Sequence, residues 1–356
     1  MTDTDFTLLE ELISTPSPSG HEQAVQRLIR RHLDGVIEQS ETDLLGNQML
    51  RFNSGGAGGP RVMLTAHCDE IGFLVKYIDD QGFIFFAPVG GVDPHLVPGQ
   101  RVQILAESGP VLGVVGKKPI HLLDPKDRER VVPFTEQFID IGCKSGEEAK
   151  ALIEIGDPLV FTAALQRLQN DMVTGRAFDD RMGSYVLVRT LQRLKQQTPL
   201  NCELYGVSMV QEELGLRGAQ PGTFGVAPDI ALVIEIGHGS DTPANDPKVV
   251  GDVKLGAGPV LSRGPNINPA LYSLLSETAK AEGIPVQVVG EQRATSTDAN
   301  VIQLSGRGVA TALVRVATRY VHTPSEVLSL FDLEAAVRLL AATVARIERR
   351  EDFIPA

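Results

Sequence analysis

At 356 residues the chain exceeds the usual size of a single hydrophobic core, which points to two domains or to one large domain carrying an insertion. Its 42% hydrophobic and 22% charged content is that of a soluble globular protein, and a net charge of −12 without any Lys/Arg-rich run argues against nucleic acid as a partner. Three widely separated cysteines, Cys68, Cys143 and Cys202, fit neither a disulfide framework nor a zinc ribbon and suit a reducing, cytoplasmic setting, and no apolar stretch is long enough to span a membrane.

In chain order, Met1 to Ser14 is acidic and lacks the basic and apolar regions of a signal peptide. It reads as a helix over Phe6 to Ile13, ended by Pro16-Ser17-Pro18-Ser19-Gly20. A second helix is expected over His21 to Leu33, where Val25, Leu28, Ile29 and Leu33 share one face. A strand over Leu44 to Phe52, a glycine-rich loop from Asn53 to Pro60 and a buried strand over Arg61 to Ala66 follow, the last ending at His67-Cys68-Asp69-Glu70. From about Gly72 to Phe161 the pattern changes to short apolar runs (Phe73 to Ile78, Gly82 to Ala87, Arg101 to Leu105, Val111 to Val115, Asp157 to Phe161) separated by Gly, Pro and Asp turns. That is an all-β pattern, and it reads as an inserted β domain over 73–163 within a larger domain made of 1–72 and 164–356.

The αβ alternation returns from Thr174. Helix Arg181 to Gln196 starts behind Asp179-Asp180, whose charges suit the positive end of a helix. Strand Cys202 to Val210 runs into Glu212-Glu213, strand Asp229 to Ile234 into Glu235, and strand Val309 to Tyr320 into His322. A helix near Pro269 to Glu282, a strand over Pro285 to Val289 and a final amphipathic helix over Leu333 to Arg349 complete the chain.

The chemistry lies where these strands stop. Two adjacent acids repel unless something positive holds them, and a metal with one glutamate as ligand and its neighbour free to take a proton accounts for Glu212 and Glu213. His67, Glu213, Glu235 and His322 each sit at or just past a strand end, and in an open α/β sheet ligands bind outside the carboxyl ends of the strands. Asp69, two residues beyond His67, is placed to orient its imidazole. Histidines and carboxylates without a cysteine cluster suit zinc, cobalt or manganese, and a second ion would need a bridging acid, for which Asp179 is the candidate. Taken singly, each residue has a plainer reading as a loop histidine, a helix cap or a solvated acid; it is their convergence on one sheet edge that carries weight.

Together, Ala66-His67-Cys68-Asp69-Glu70-Ile71-Gly72-Phe73, Phe178-Asp179-Asp180-Arg181-Met182-Gly183, Gln211-Glu212-Glu213-Leu214-Gly215-Leu216-Arg217-Gly218-Ala219, Thr297-Asp298-Ala299-Asn300 and Arg319-Tyr320-Val321-His322-Thr323-Pro324-Ser325-Glu326 resemble the tetrahedral aminopeptidases of metallopeptidase family 42, over essentially the whole chain. The resemblance implies an αβα sandwich with a mixed central sheet, of two-zinc exopeptidase type, carrying an inserted barrel-like β domain. It implies two divalent ions, one on His67, Asp179 and Glu235 and the other on Glu213, Asp179 and His322, with Asp179 bridging. In this assignment Glu212 is general base and acid toward a hydroxide held between the ions, and Asp69 orients His67. The substrates implied are short peptides trimmed from the N-terminus, and the partners are further copies of the chain, dimers building a tetrahedral dodecamer through the insert.

One departure is Glu235, where the family usually carries aspartate. In related two-zinc hydrolases a glutamate there accompanies carboxypeptidase or deacylase activity on N-blocked substrates, which is the competing reading. A non-catalytic assembly protein of the same fold is the alternative from another class, and the intact Glu212 and ligand set weigh against it.

Overall fold

The computed structural model describes residues 3–54, 59–197, 199–243 and 245–355. Among them the strands are β1 (Ile37–Thr42), β2 (Gln48–Phe52), β3 (Arg61–His67), β4 (Gly72–Ile78), β5 (Ile84–Val89), β6 (Arg101–Ala106), β7 (Gly109–Gly116), β8 (Phe138–Asp140), β9 (Pro158–Phe161), β10 (Gln166–Arg167), β11 (Met172–Gly175), β12 (Glu203–Met209), β13 (Ile230–His238), β14 (Val260–Arg263), β15 (Gln287–Gly290), β16 (Ala310–Arg319) and β17 (Glu326–Ser329). The larger sheet has the order β1-β2-β12-β3-β13-β16-β17-β11-β10, with β14 and β15 attached alongside β16.

Its centre is parallel. β12 pairs β3 from Glu203↔Arg61 to Met209↔His67, β3 pairs β13, and β13 pairs β16 from Ile230↔Ala310 to His238↔Thr318. Antiparallel pairs flank it: β1 with β2, β2 with β12, β16 with β17 and β17 with β11. A parallel centre is covered on both faces, so its strands are unbroken apolar runs rather than alternating ones. β13 is buried from Ile230 to Gly237. Gly206 of β12 lies under Leu187 and Leu191 of helix Phe178–Leu194, whereas Met209, of opposite parity in the strand, meets Gly222 of helix Ala219–Val226. Helices thus cover both faces, and the parallel register brings the carboxyl ends of β3, β12, β13 and β16 to one edge.

After β3 the chain leaves this sheet and forms a closed barrel in the order β4-β5-β8-β7-β6-β9. Closure removes the exposed sheet edges that short strands would otherwise present. Phe73 anchors the interior, edge-on to Phe86 at 5.1 Å and to Phe161 at 5.2 Å, among Val75, Ile104, Val115, Ile139 and Leu159. Phe86 lies in this interior, while Phe83 rests on Phe138.

The elements differ from the sequence expectations in specific places. The strand expected over Leu44 to Phe52 is only Gln48–Phe52, because Asp43 accepts the N–H groups of Leu45, Gly46 and Asn47 and turns the chain back on β1. β1 itself is polar and exposed along most of its length, and so carries no apolar signal. β13 does not stop at Ile234: it continues to His238 by pairing with β16, which places Glu235 inside the strand rather than beyond its end. β8, β10, β11, β14 and β17 and the short helices Gly146–Lys150 and Asp298–Ile302 were not anticipated. Of the glycine loop expected over 53–60, residues 55–58 lie outside the described residues. No helix among the described residues is long and apolar enough to cross a membrane.

Candidate metal centre

His67, the last residue of β3, points its Nε2 at Asp179 Oδ1, 3.1 Å away, and lies 3.8 Å from Glu235 Oε1. His322, three residues past β16, places its Nε2 3.2 Å from Asp179 Oδ2 and 3.1 Å from Glu213 Oε1. The two oxygens of Asp179 therefore face two different histidines. Two groups of donors result, His67 with Asp180 and Glu235, and Asp179 with Glu213 and His322, each with its atoms within 4.8 Å of one another. Asp179 and Asp180 reach this position because the helical conformation begins only after them; both have non-helical dihedrals. Asp180 Oδ1 then accepts the Gly183 N–H at 3.1 Å and caps the helix. A Cβ on Gly183 would fall 2.2 Å from Asp180 Oδ2, so only glycine leaves room for that carboxylate.

Two further buried carboxylates hold the donors in place. Asp69 lies 3.4 Å from His67 Nδ1, accepts the N–H of Glu212 at 3.0 Å and of Glu213 at 3.1 Å, and receives the Ser19 hydroxyl at 2.5 Å. Glu326, at the start of β17, accepts the N–H of His322 at 2.9 Å and of Asp179 at 3.2 Å. The backbone around them is left-handed at Ala177 (φ 56°), Gln211 (φ 54°), Tyr320 (φ 59°) and His322 (φ 63°). Non-glycine residues hold such conformations only where their surroundings over-determine them, and they cluster at functional sites.

Burial dominates the electrostatics. It pushes Glu212 up to about 10 and Glu235 to about 8, with further upward pushes from neighbouring acids, and holds Asp180 and Glu326 well above the usual carboxylate range. For Asp179 burial is overcome by its hydrogen bonds with His322 and His67, and its pKa is lowered. Burial opposes the charge on His322 too, yet Asp179 and Glu213 raise its pKa to about 11.

Whether these residues suit divalent ions turns on the donor set and on what burial leaves uncompensated. Asp180 Oδ2 is buried and has no hydrogen-bond partner among the described residues. Asp179, Asp180, Glu212, Glu213 and Glu235 share a volume whose neighbouring bases are His67 and His322. Buried carboxylates in such excess call for cations, and imidazole plus carboxylate is a donor set that zinc, cobalt and manganese accept. The residues fit.

Every site residue named from the sequence, His67, Asp69, Asp179, Glu212, Glu213, Glu235 and His322, comes to this one place. Glu235 arrives from within its strand and folds back so that Oε1 accepts the N–H of Ile236 at 2.8 Å, which shortens the reach of the longer side chain. Asp180, Asp298 and Glu326 lie in the motif segments but are given no site role by the sequence reading. Asp298 opens helix Asp298–Ile302, is buried with Oδ1 unpartnered among the described residues, and raises the pKa of both Glu212 and Glu235. A helix-start acid is common, and only its burial, invisible in the sequence, distinguishes this one. Asp241 is occupied by Arg319 at 2.9 and 2.6 Å, and Arg263 stacks on Tyr272 at 5.3 Å.

With this geometry in hand, the comparisons with known proteins are specific. The family model described as M42 glutamyl aminopeptidase matches residues 46–339. A lysyl aminopeptidase of Pyrococcus furiosus is 33% identical over 356 residues, covering 99% of this chain and 99% of that protein. Among solved structures, a TET aminopeptidase from the marine sediment archaeon Thaumarchaeota archaeon SCGC AB-539-E09 superposes with a TM-score of 0.94 at 33% identity, covering 99% of each chain. The Pyrococcus horikoshii TET1 peptidase, which can assemble into a tetrahedron or a large octahedral shell, superposes with a TM-score of 0.85 at 31% identity, covering 96% of this chain and 99% of that one.

Proposed function

The chain belongs to the M42 glutamyl aminopeptidase family and is a hydrolase of the aminopeptidase type, and from that premise we propose that it removes N-terminal residues from short peptides at a two-metal centre. The observation that carries this reading is Asp179, whose two carboxylate oxygens face His67 and His322 separately. His67, Asp179 and Glu235 would hold one ion, and Asp179, Glu213 and His322 the other; Asp179 lies 3.1 Å from His67 Nε2, and Asp180 is the acid grouped by distance with His67 and Glu235. Two divalent ions here, zinc or else cobalt or manganese, would supply polarisation of the scissile carbonyl and activation of water at neutral pH.

The protein's own part is proton handling and positioning. Among the described residues Glu212 makes no hydrogen bond or ion pair with a histidine and feels His67 only through its charge, whereas Glu213 lies against His322. Glu212 therefore takes a proton from the attacking water and returns it to the leaving amine. Asp69 fixes the main chain of both glutamates and, through His67 Nδ1, the orientation of the first histidine, so that Glu212 stays beside the ion site without entering it. The insert is read as the assembly and access-control domain, over 73–163. Dimers building a tetrahedral dodecamer, working in the cytoplasm, complete the proposal; the assembly of the similar TET1 peptidase supports it.

Glu235 favours a second reading, a two-metal carboxypeptidase or deacylase acting on N-blocked substrates. Its return to the Ile236 N–H, which brings the carboxyl closer to the backbone, favours the first. Free and N-acetylated aminoacyl anilides, assayed on chelator-stripped protein reloaded with zinc, cobalt or manganese, separate the two. Cleavage restricted to free amines and restored by metal is the expected result. Cleavage of the blocked series would replace the proposal by the second reading, and cleavage of neither by a non-catalytic role.

A further inference from the structure

We infer that the inserted barrel is part of the metal centre, with the main-chain carbonyl of Gly91 acting as the positioning group for His322. This rests on the reading of His322 as a ligand. After β5 the chain turns through Gly90 and Gly91, and the two glycines lie flush against two donors of one group. A Cβ on Gly90, which has φ +81°, would stand 3.2 Å from Glu213 Oε2 and 2.7 Å from Ile71 Cγ2; a Cβ on Gly91 would stand 3.0 Å from His322 Nδ1 and 3.3 Å from its Cε1. His322 Nδ1 itself is 2.9 Å from the Gly91 carbonyl oxygen.

A carbonyl can only accept, so Nδ1 carries a proton and donates it there. With Nδ1 so engaged, Nε2 is the ring nitrogen turned to Asp179 and Glu213, and the same contact fixes both the tautomer and the rotation of the ring. The two histidines are held very differently. The side chain of His67 is 2% exposed and its Nδ1 faces Asp69, from the same domain. The side chain of His322 is 33% exposed and sits on a left-handed turn, so fewer walls restrict it. The barrel supplies the missing wall. One ion site is thereby tied to the seating of the insert, and the other is not.

The test is calorimetric titration of zinc into chelator-stripped wild type and Gly91→Ala. Gly91 does not occupy the left-handed region, so alanine carries no backbone penalty and acts through its methyl group on the imidazole. Loss or displacement of a partner that orients a metal-bound histidine typically lowers metal affinity by about 10- to 100-fold. The expected result is two classes of site in wild type, one of them weakened roughly tenfold in the variant and the other unchanged. Identical titrations overturn the inference, as does equal weakening of both classes, which would signify general loosening. A wild type that takes up no second ion would instead remove the two-metal reading, a distinguishable failure. Should Gly91→Ala not fold, hydrogen exchange on wild type replaces it: zinc should slow exchange in peptides covering 89–97, and unchanged exchange there overturns the inference.

Discussion

Glu326→Gln should weaken metal binding more than it weakens the fold. Glu326 is 1% exposed, and its carboxylate accepts the N–H groups of His322, Asp179 and Phe178. Glutamine keeps one acceptor oxygen and puts an NH2 where the other was, so at least one buried main-chain N–H faces a donor. An unsatisfied buried donor costs about 1–3 kcal/mol. Release of His322 from its left-handed conformation adds to the disturbance, because such conformations persist only while their surroundings enforce them. If that energy is expressed in the bound state, affinity falls roughly 5- to 150-fold, since 1.4 kcal/mol corresponds to a factor of ten. Both equivalents of metal should weaken if Asp179 bridges the two ions as proposed, unlike the one-sided effect expected of Gly91→Ala. Zinc titration of stripped protein reads the affinity, and thermal unfolding of the stripped form reads the fold. Wild-type affinity together with a lowered unfolding temperature would refute the reasoning and leave Glu326 with a purely architectural role.

Glu212→Gln should retain metal and lower kcat by about 10²- to 10⁴-fold, the range general-base catalysis supplies; normal turnover on a free aminoacyl anilide would sink the assignment. Glu22 gives a pH prediction for stripped protein. Burial raises its pKa to about 7 from 4.5, against the N–H groups of Gly20 and Gln211 that it accepts. A raised folded-state value means that the unfolded chain loses its proton first. This contribution to stability is therefore full below pH 4.5 and lost as pH rises through 7, on the order of 2–3 kcal/mol. Urea unfolding at pH 5 and pH 8 should show the decline, and Glu22→Gln should reduce it by that amount, leaving the part contributed by the raised Glu212 and Glu235. Gly183→Ala places a methyl group 2.2 Å from Asp180 Oδ2 and should destabilise the chain by about 1–3 kcal/mol, read as a lower urea midpoint.

The parallel core was legible because burial on both faces writes itself as continuous apolar sequence, as in Arg61–His67 and Ile230–His238. β1 was not legible, since an exposed edge strand of sequence Ile-Glu-Gln-Ser-Glu-Thr looks like loop. His67, Glu213 and His322 could be found from their positions at strand ends. Asp298 and Glu326 stand within the motif segments, but no role could be read for them, because their burial is decided by packing between segments distant in the chain. The contact between the insert and His322 is not legible for the same reason: Gly91 becomes informative only once the barrel seats it on His322.

The centre is assembled as two halves, and each is organised by an anion. Asp69 gathers His67, Glu212, Glu213 and Ser19, and Glu326 gathers Asp179 and His322. The Asp179 side chain joins the halves by touching both histidines. An arrangement that positions carboxylates with further carboxylates raises the cost of keeping them all ionised in a buried place, and the high values of Glu212 and Glu235 express that cost. Divalent ions would relieve it at the junction of the halves. The same residues whose mutual repulsion burial aggravates would therefore favour cations, and the energy of ion binding would go into holding together the parts that the proposed chemistry needs in register.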